Sequence, residues 1–460
     1  MAYDKPIYDF DEEYDLKYYK AWVLGAQWFP PPLVPLFVDL HFTWGKYGMQ
    51  WAPATLSDPR TKGWDWRLRN GGWYLSVIET TEEERKQLEP LWREKMRKIL
   101  EDPWAMWTDR KRNLHEKLFG FAAFDLKGAT DGELVDHWYD IWNYSKYVQE
   151  CHFYPMYGLG QGNIVFRRLL KQLLNITPAD ALYSELHSGF ENAFTAITER
   201  MSEVADEAIR MGLADIFKNS SLDDLLPALQ TSENGRQWAE RFNEFIRQYG
   251  FIRRRGMEIC TPTWWEDPTL ALADIRRFVT TGGGVRSVEN RPRLAARRKE
   301  MEEEVVAKTP PEQRDMFRKL MVCSQASSVF SEEHTMYVEM LAFSVIRLAA
   351  MEFGRRFTAK GMLDNPNDIM FVHSDEIAHA GMILEKCDIR KLVERRKEEY
   401  AGYREIEGSH PFILGDPTKL GEIVDADVVF AVNAAPPVST PEEAGATLVG
   451  CAGAPGVAEG

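Results

Sequence analysis

The sequence predicts a mainly α protein: a helical substrate-binding domain carrying a small, aromatic-rich, β-containing lobe at its N-terminus. Three observations carry that expectation. From Thr81 onward, apolar residues recur at three- and four-residue spacing in one segment after another. Ahead of them, residues 22–74 are dense in Trp, Tyr, Pro and Gly and contain a clear period-two stretch. With 460 residues, 44% of them apolar, and 15 Trp, 17 Tyr and 24 Phe, the chain can bury a large core and divide it among domains.

The N-terminal lobe is assigned to residues 1–80. Its opening, MAYDKPIYDFDEEYD, is acidic and lacks an apolar centre, so it is not a secretion signal. Pro30, Pro31, Pro32 and Pro35 exclude a regular helix in the stretch that follows. Alternation through Trp64-Asp65-Trp66-Arg67-Leu68, a turn at Asn70-Gly71-Gly72 and a second apolar run from Trp73 predict a β-hairpin. The dense aromatics, Trp44 among them, are expected either to line a pocket or to fill the core.

Residues 81–430 read as the helical acceptor-substrate domain. The segment TEEERKQLEPLWREKMRKILED sets charges around a Leu/Trp/Met/Ile stripe, and residues 131–151, 164–174, 178–211 and 221–249 repeat the pattern. Tyr157-Gly158-Leu159-Gly160-Gln161-Gly162 lacks a preceding strand and the Rossmann spacing, so it reads as a helix-to-helix turn. Gly282-Gly283-Gly284 reads as a flexible loop. Between Val329 and Phe371, Phe330, His334, Val338, Leu341, Val345 and Leu348 line one face of a long helix that starts near Ser331 and ends at Gly361 and Pro366. Ser374 followed by Asp375 and Glu376 is a helix start rather than a metal site with His379, and residues 388–403 form a charged, solvated helix. Residues 431–446, with their Pro and Ser, are a linker, and 447–460 begin another domain.

A net charge of −15 argues against general affinity for nucleic acid or anionic membranes. No apolar run reaches bilayer-spanning length. Cys151, Cys260, Cys323, Cys387 and Cys451 are far apart and form no CxxC pair, so no disulfide framework and no metal-ligand set is read, and a reducing cytoplasm is expected.

His334 is the best general-base candidate in the chain. It is an imidazole on an apolar stripe, flanked by Glu332 and Glu333; its alternative role is that of a hydrogen-bonded core histidine. Arg254 and Arg255, beside Arg253 and Gly256, offer an acidic protein a local positive site for a phosphoryl group, with Glu258 to orient one of them. Pairing with neighbouring glutamates is the alternative for these arginines.

These residues carry a resemblance. Gly250-Phe251, Arg254-Arg255-Gly256, Glu258, Pro262 and Glu266-Asp267-Pro268, followed by Gly361-Met362-Leu363, Pro366, Asp368-Ile369 and Asp375-Glu376-Ile377, resemble successive blocks of the phosphoenolpyruvate synthase and rifampin phosphotransferase-like enzymes. The tail Gly450–Gly460 is similar to the opening strand of that family's swivelling phosphohistidine domain, and Asp65–Tyr74 is similar to a stretch of two-component aryl dikinases of the phenylphosphate synthase type. The resemblance implies a separate ATP-grasp subunit that uses ATP and Mg2+ to phosphorylate a histidine of the swivelling domain, releasing AMP and phosphate. That histidine would then pass the phosphoryl group to a phenol or hydroxyphenyl ketone bound by this chain, a step of aromatic catabolism, with no cofactor held tightly here. Trp44, Trp264 and Tyr337 are expected around the phenolic ring, with Glu258 on the substrate, His334 taking the proton and Glu332 or Glu333 assisting. Two departures accompany the match. The chain stops where the swivelling domain begins, so it is expected to bind substrate without turning over alone. Ser331-Glu332 stands where rifampin phosphotransferase-like sequences have Arg-Glu, which shifts the arginine role to Arg254 or Arg255. The alternatives are the substrate domain of an antibiotic (rifampin-like) phosphotransferase and a non-catalytic binding subunit.

Overall fold

A computed structural model describes residues 8–26, 29–253, 259–282, 287–382, 388–406 and 408–416, with side chains of the fourth segment from 290. The protein is mainly α, with one antiparallel sheet near the N-terminus. The sheet holds β1 (Ala21–Leu24), β2 (Thr61–Arg69), β3 (Gly72–Glu79) and β4 (Ile413–Gly415) in the order β2-β3-β1-β4. The expected hairpin is β2–β3, paired Trp66 to Leu75 and Arg69 to Gly72. Its two turn residues, Asn70 and Gly71, have φ of 52° and 75°, the doubly positive backbone that a tight hairpin with twisted strands requires. One sheet face buries Trp22, Tyr74 and Leu414, and Trp66 and Trp73 join the main core. Asp65 accepts from Tyr19 and pairs with Lys46 and Arg67, and Arg67 also grips the buried Asp15.

The proline-rich stretch is helical sooner than its composition predicts. A helix starts at Pro35, passes through a π-helical turn at His41–Gly45 and continues as Lys46–Leu56. Proline at the first helical position gives up no hydrogen bond and presets φ.

Helix Glu82–Glu101 starts on a reciprocal Thr81–Glu84 cap, and helix Asp131–Leu174 on the same device at Thr130 and Glu133. The second runs 44 residues without a break, so the expected turn at Tyr157–Gly162 is helix interior. The glycines permit close packing rather than a bend. A Cβ on Gly158 would overlap Met106, and one on Gly162 would overlap Cys323 of the neighbouring helix. Gly162→Ala is therefore expected to lower the urea midpoint, the overlap costing about 1–3 kcal/mol against the roughly 1 kcal/mol that alanine gains in a helix interior. A raised midpoint would show that Cys323 moves aside freely.

The helix that carries His334 begins at Arg314, well before Ser331, because Phe317, Leu320, Met321 and Ala326 extend the same buried stripe. Ser331 lies within it, exposed, and caps nothing. The rod continues through a π-helical segment, Thr335–Leu341, into Ala342–Ala359, and Gly361 with φ of 72° follows its end. The helix start at Ser374 and the charged helix Arg390–Glu405 are as the sequence predicts. One buried core runs from Ala21 to Val393, and a smaller one gathers Phe166, Leu170, Met301 and Phe317. No helix of the described residues is long and apolar enough to cross a membrane. Gly283, Gly284, Cys387, Cys451, the linker 431–446 and the segment 447–460 lie outside the described residues.

Candidate functional site

The π-helical segment brings chemistry together that an α-helix would keep apart. Its i→i+5 hydrogen bonding places residues five apart on one face, and π turns of this kind are frequent at functional sites. His334 Nε2 thereby stands 3.8 Å from Glu339 Oε1. His334 Nδ1 bonds the Phe330 carbonyl at 3.0 Å; a carbonyl only accepts, so Nδ1 carries a proton, and in the neutral imidazole Nε2 holds the lone pair. Against it, from the long helix, lies His152, its ring 4.8 Å away and tilted by 28°. His152 Nδ1 meets Gln149 Oε1 at 3.3 Å, and its Nε2 is buried with no hydrogen-bond partner among the described residues. One ligand atom from each of His152, His334 and Glu339 falls within 4.8 Å of the other two, and all three residues are buried.

This burial shifts the titrating groups away from their ordinary values. Desolvation raises the Glu339 carboxyl above its ordinary 4.5, partly offset by His334 and by the Thr335 hydroxyl. Desolvation holds His152 well below 6.5, and nearby His334 and His41 push the same way. His41, from the other π-helical turn, is pushed down to about 3 by burial among Phe29, Phe37, Trp66 and Trp73, and neither of its ring nitrogens has a hydrogen-bond partner among the described residues. A cluster of perturbed groups held against stability is the usual mark of a working site. The pH dependence follows from the signs. A carboxyl whose folded pKa is raised costs nothing while it is neutral in both states, and it destabilises as pH climbs above about 4.5. Glu339→Gln is therefore expected to raise the thermal midpoint at pH 8 more than at pH 4.5; an equal shift at both would mean that its charge is not being suppressed.

Of the glutamates beside His334 in the chain, Glu332 is exposed. Glu333 is buried but faces elsewhere: it accepts from Trp107 Nε1 at 2.6 Å and pairs with Lys111 at 2.5 Å. Both Glu333 and Tyr337 line a half-open cavity of about 440 Å³, walled by Trp104 and Trp107 and edged by Lys111 and Arg112. Burial, with Glu333 adding, pushes the Tyr337 hydroxyl up to about 12. Phe330 joins the two regions, since it lines the cavity and stacks on His334 at 4.9 Å. Trp264 is buried against Phe245 in the core, and Trp44 is half-buried in the first π turn, its Nε1 without a hydrogen-bond partner among the described residues. Neither shares the His334 cluster.

Arg254, Arg255 and Glu258 lie outside the described residues. Their neighbours on both sides are held on the His334 rod. Arg253 is buried and donates to the Met340 carbonyl at 2.9 Å and to Ser344 Oγ at 2.7 Å. Beyond them, the Ile259 carbonyl accepts from Arg347, which also clasps Glu266 through two bonds of 2.8 and 2.9 Å. At the third block, Glu376 is paired with Arg396 through two contacts, so it is not free to join the exposed His379 in holding a metal.

Sequence reasoning missed His152, Glu339 and His41. Helical spacing gives no sign that residues 334 and 339 share a face, because only the π turn aligns them. His152 reaches the cluster, and His41 its own aromatic nest, through tertiary packing, and the available hint was that each is a histidine inside an otherwise aromatic and apolar segment.

The fold and the site define a helical domain with a buried His152–His334–Glu339 cluster at a π turn. Residues 152–331 match the family model of the rifampicin phosphotransferase fourth domain, a span that opens on His152 and closes just before His334. The chain is 23% identical over 283 residues to the uncharacterized phosphotransferase YvkC of Bacillus subtilis (strain 168), covering 59% of this chain and 33% of that protein. It is 21% identical over 262 residues to chondramide synthase cmdD of Chondromyces crocatus, covering 54% of this chain and 6% of that protein. The chain thus spans a third or less of the length of these relatives. The chain is similar, over parts of its length, to a rifampicin phosphotransferase domain and to an uncharacterized phosphotransferase.

Proposed function

We propose that this chain is the acceptor-binding part of a dikinase that moves a phosphoryl group from a phosphohistidine to a phenolic hydroxyl, giving an aryl phosphate. The observation that carries the reading is the His334 Nε2 lone pair, fixed by the Phe330 carbonyl beside buried Glu339, on the same rod that anchors both flanks of the Arg254–Arg255 segment. The N–P bond of the phosphohistidine breaks as the O–P bond forms, and His334 takes the phenolic proton. A phenol with pKa of about 10 needs only modest help from an imidazole to react as its anion near neutrality. Arg254 and Arg255 meet the charge on the transferring group, where positioning and electrostatics supply most of the catalysis in this class.

The aromatic walls of the cavity at Trp104, Trp107 and Tyr337, one Phe330 ring away from His334, support a ring-bearing acceptor. In this reading the partners are a separate ATP-grasp subunit, which brings ATP and Mg2+, and the swivelling phosphohistidine domain, in the cytoplasm. Calorimetric titration tests it. The chain is expected to bind phenol or a 4-hydroxyphenyl ketone roughly 100-fold or more tightly than the analogue lacking the hydroxyl, because a buried polar site is left unpaired by the latter. Equal affinity for both would remove phenols as the acceptor class.

A further inference from the structure

We propose that His152, His334 and Glu339 bind a divalent transition-metal ion of the zinc class. The sequence alone offers no such set, since its members are distant in the chain or five apart in it, and the fold assembles them. Four observations converge on a cation. The three ligand atoms lie within 4.8 Å of one another, with His334 Nε2 and Glu339 Oε1 at 3.8 Å. Metal–nitrogen distances of about 2.0–2.1 Å put the ligands of a tetrahedral site roughly 3.3 Å apart, so the trio needs to close only by an ångström or so.

Each imidazole has its Nδ1 on an oxygen acceptor, the Phe330 carbonyl for His334 and Gln149 Oε1 for His152. That is the outer support which fixes the tautomer of metal-binding histidines and aims Nε2 at the ion. His152 Nε2 is buried and has no hydrogen-bond partner among the described residues, the state a lone pair is left in when the group it serves is absent. Finally, Glu339 is buried, and no lysine or arginine among the described residues pairs with it. A cation between it and two neutral imidazoles would supply the missing charge. Two nitrogens and one carboxylate favour zinc, cobalt or ferrous iron over magnesium or calcium, and three protein ligands leave a position open for an oxygen.

The inference rests on the buried cluster as the chemical centre of the proposed reaction. It reassigns the His334 lone pair: with an ion bound, the ion rather than the imidazole makes an oxygen at the open position more acidic.

The test reads binding with no acceptor and no turnover. The chain, stripped with chelator, is titrated with Zn2+ by calorimetry and with Co2+ by visible absorption. One ion per chain is expected, with the intense d–d bands of low-coordinate cobalt. His152→Ala and Glu339→Gln should abolish the stoichiometric site, and Gln149→Leu should weaken it by roughly 10–100-fold while the ligands remain. His373→Ala, which removes the imidazole bonded to Asp39 at 2.9 Å, should change nothing. Circular dichroism of each variant confirms that it is folded. Absence of stoichiometric binding by the parent chain overturns the site, as does binding that survives in both His152→Ala and Glu339→Gln. Either result leaves the phenol-binding experiment, and the phosphotransfer reading it tests, standing.

Discussion

Under the proposed phosphotransfer, replacing His334 with alanine in the full-length protein is expected to lower kcat by about 10²–10⁴ while KM for the acceptor moves little. The Nδ1 proton is committed to the Phe330 carbonyl, so Nε2 is a base whose orientation is fixed before substrate arrives. Its neighbour Glu339 lies 3.8 Å away with the pKa of its carboxyl raised by burial, which makes it a stronger proton acceptor when ionised and so able to share the proton that Nε2 takes. A group that acts only as the bond is made is felt in kcat, whereas one that merely holds the substrate is felt in KM. Glu332→Ala serves as the control, since that side chain is exposed and should leave both parameters unchanged. A His334→Ala enzyme with a normal kcat would take the histidine out of the chemistry. Partial rescue by added imidazole would favour its use as a free base over its use as a metal ligand.

What the sequence made legible here depended on range. The β2–β3 hairpin could be read because its determinants are adjacent: Asn70 and Gly71 adopt the doubly positive backbone, and the alternation on either side sets the register. The helices could be read wherever a polar cap met an apolar stripe, as at Thr81 and Thr130. The glycine run at 158–162 misled because its spacing resembles a loop, while its cause is the proximity of Met106 and Cys323, which no local pattern encodes. The same holds for the site. His334 stood out as an imidazole on an apolar stripe, but the carboxylate beside it is Glu339, because a π turn breaks the periodicity on which such readings rely.

The family-like blocks were legible as patterns and not as roles. Asp65 and Arg67 brace the sheet, Glu266 holds Arg347, and Glu376 holds Arg396. Among the described residues, these acids and bases hold the frame around the His334 rod in place.

That frame is the source of the largest stability effect expected here, from Arg347→Ala. Arg347 is buried and makes three bonds, two to Glu266 and one to the Ile259 carbonyl. Breaking a buried pair from one side strands the other charge at a cost of about 3–5 kcal/mol, and the side-chain exposure of Glu266, 20%, puts the expected loss near the lower end. The sign of the pH dependence is set by Glu266. Burial raises its carboxyl, but the Arg347 bonds and the Thr263 contacts outweigh that and leave it below 4.5. Its stabilisation is therefore present above about pH 4.5 and fades as pH falls through the lowered folded value. In Arg347→Ala the urea midpoint should drop at pH 7 and the acid-side loss should flatten. The double variant Arg347→Met, Glu266→Gln should regain much of the midpoint, because it removes the stranded carboxylate and refills the space. It should not regain turnover. The Ile259 carbonyl would still lack its guanidinium, and with it the flank of the Arg254–Arg255 segment opposite Arg253 would lose its tie to the rod that carries His334. Stability restored without activity would mean that this arginine positions the proposed Arg254–Arg255 segment in addition to holding the fold; both restored together would reduce it to a structural pin.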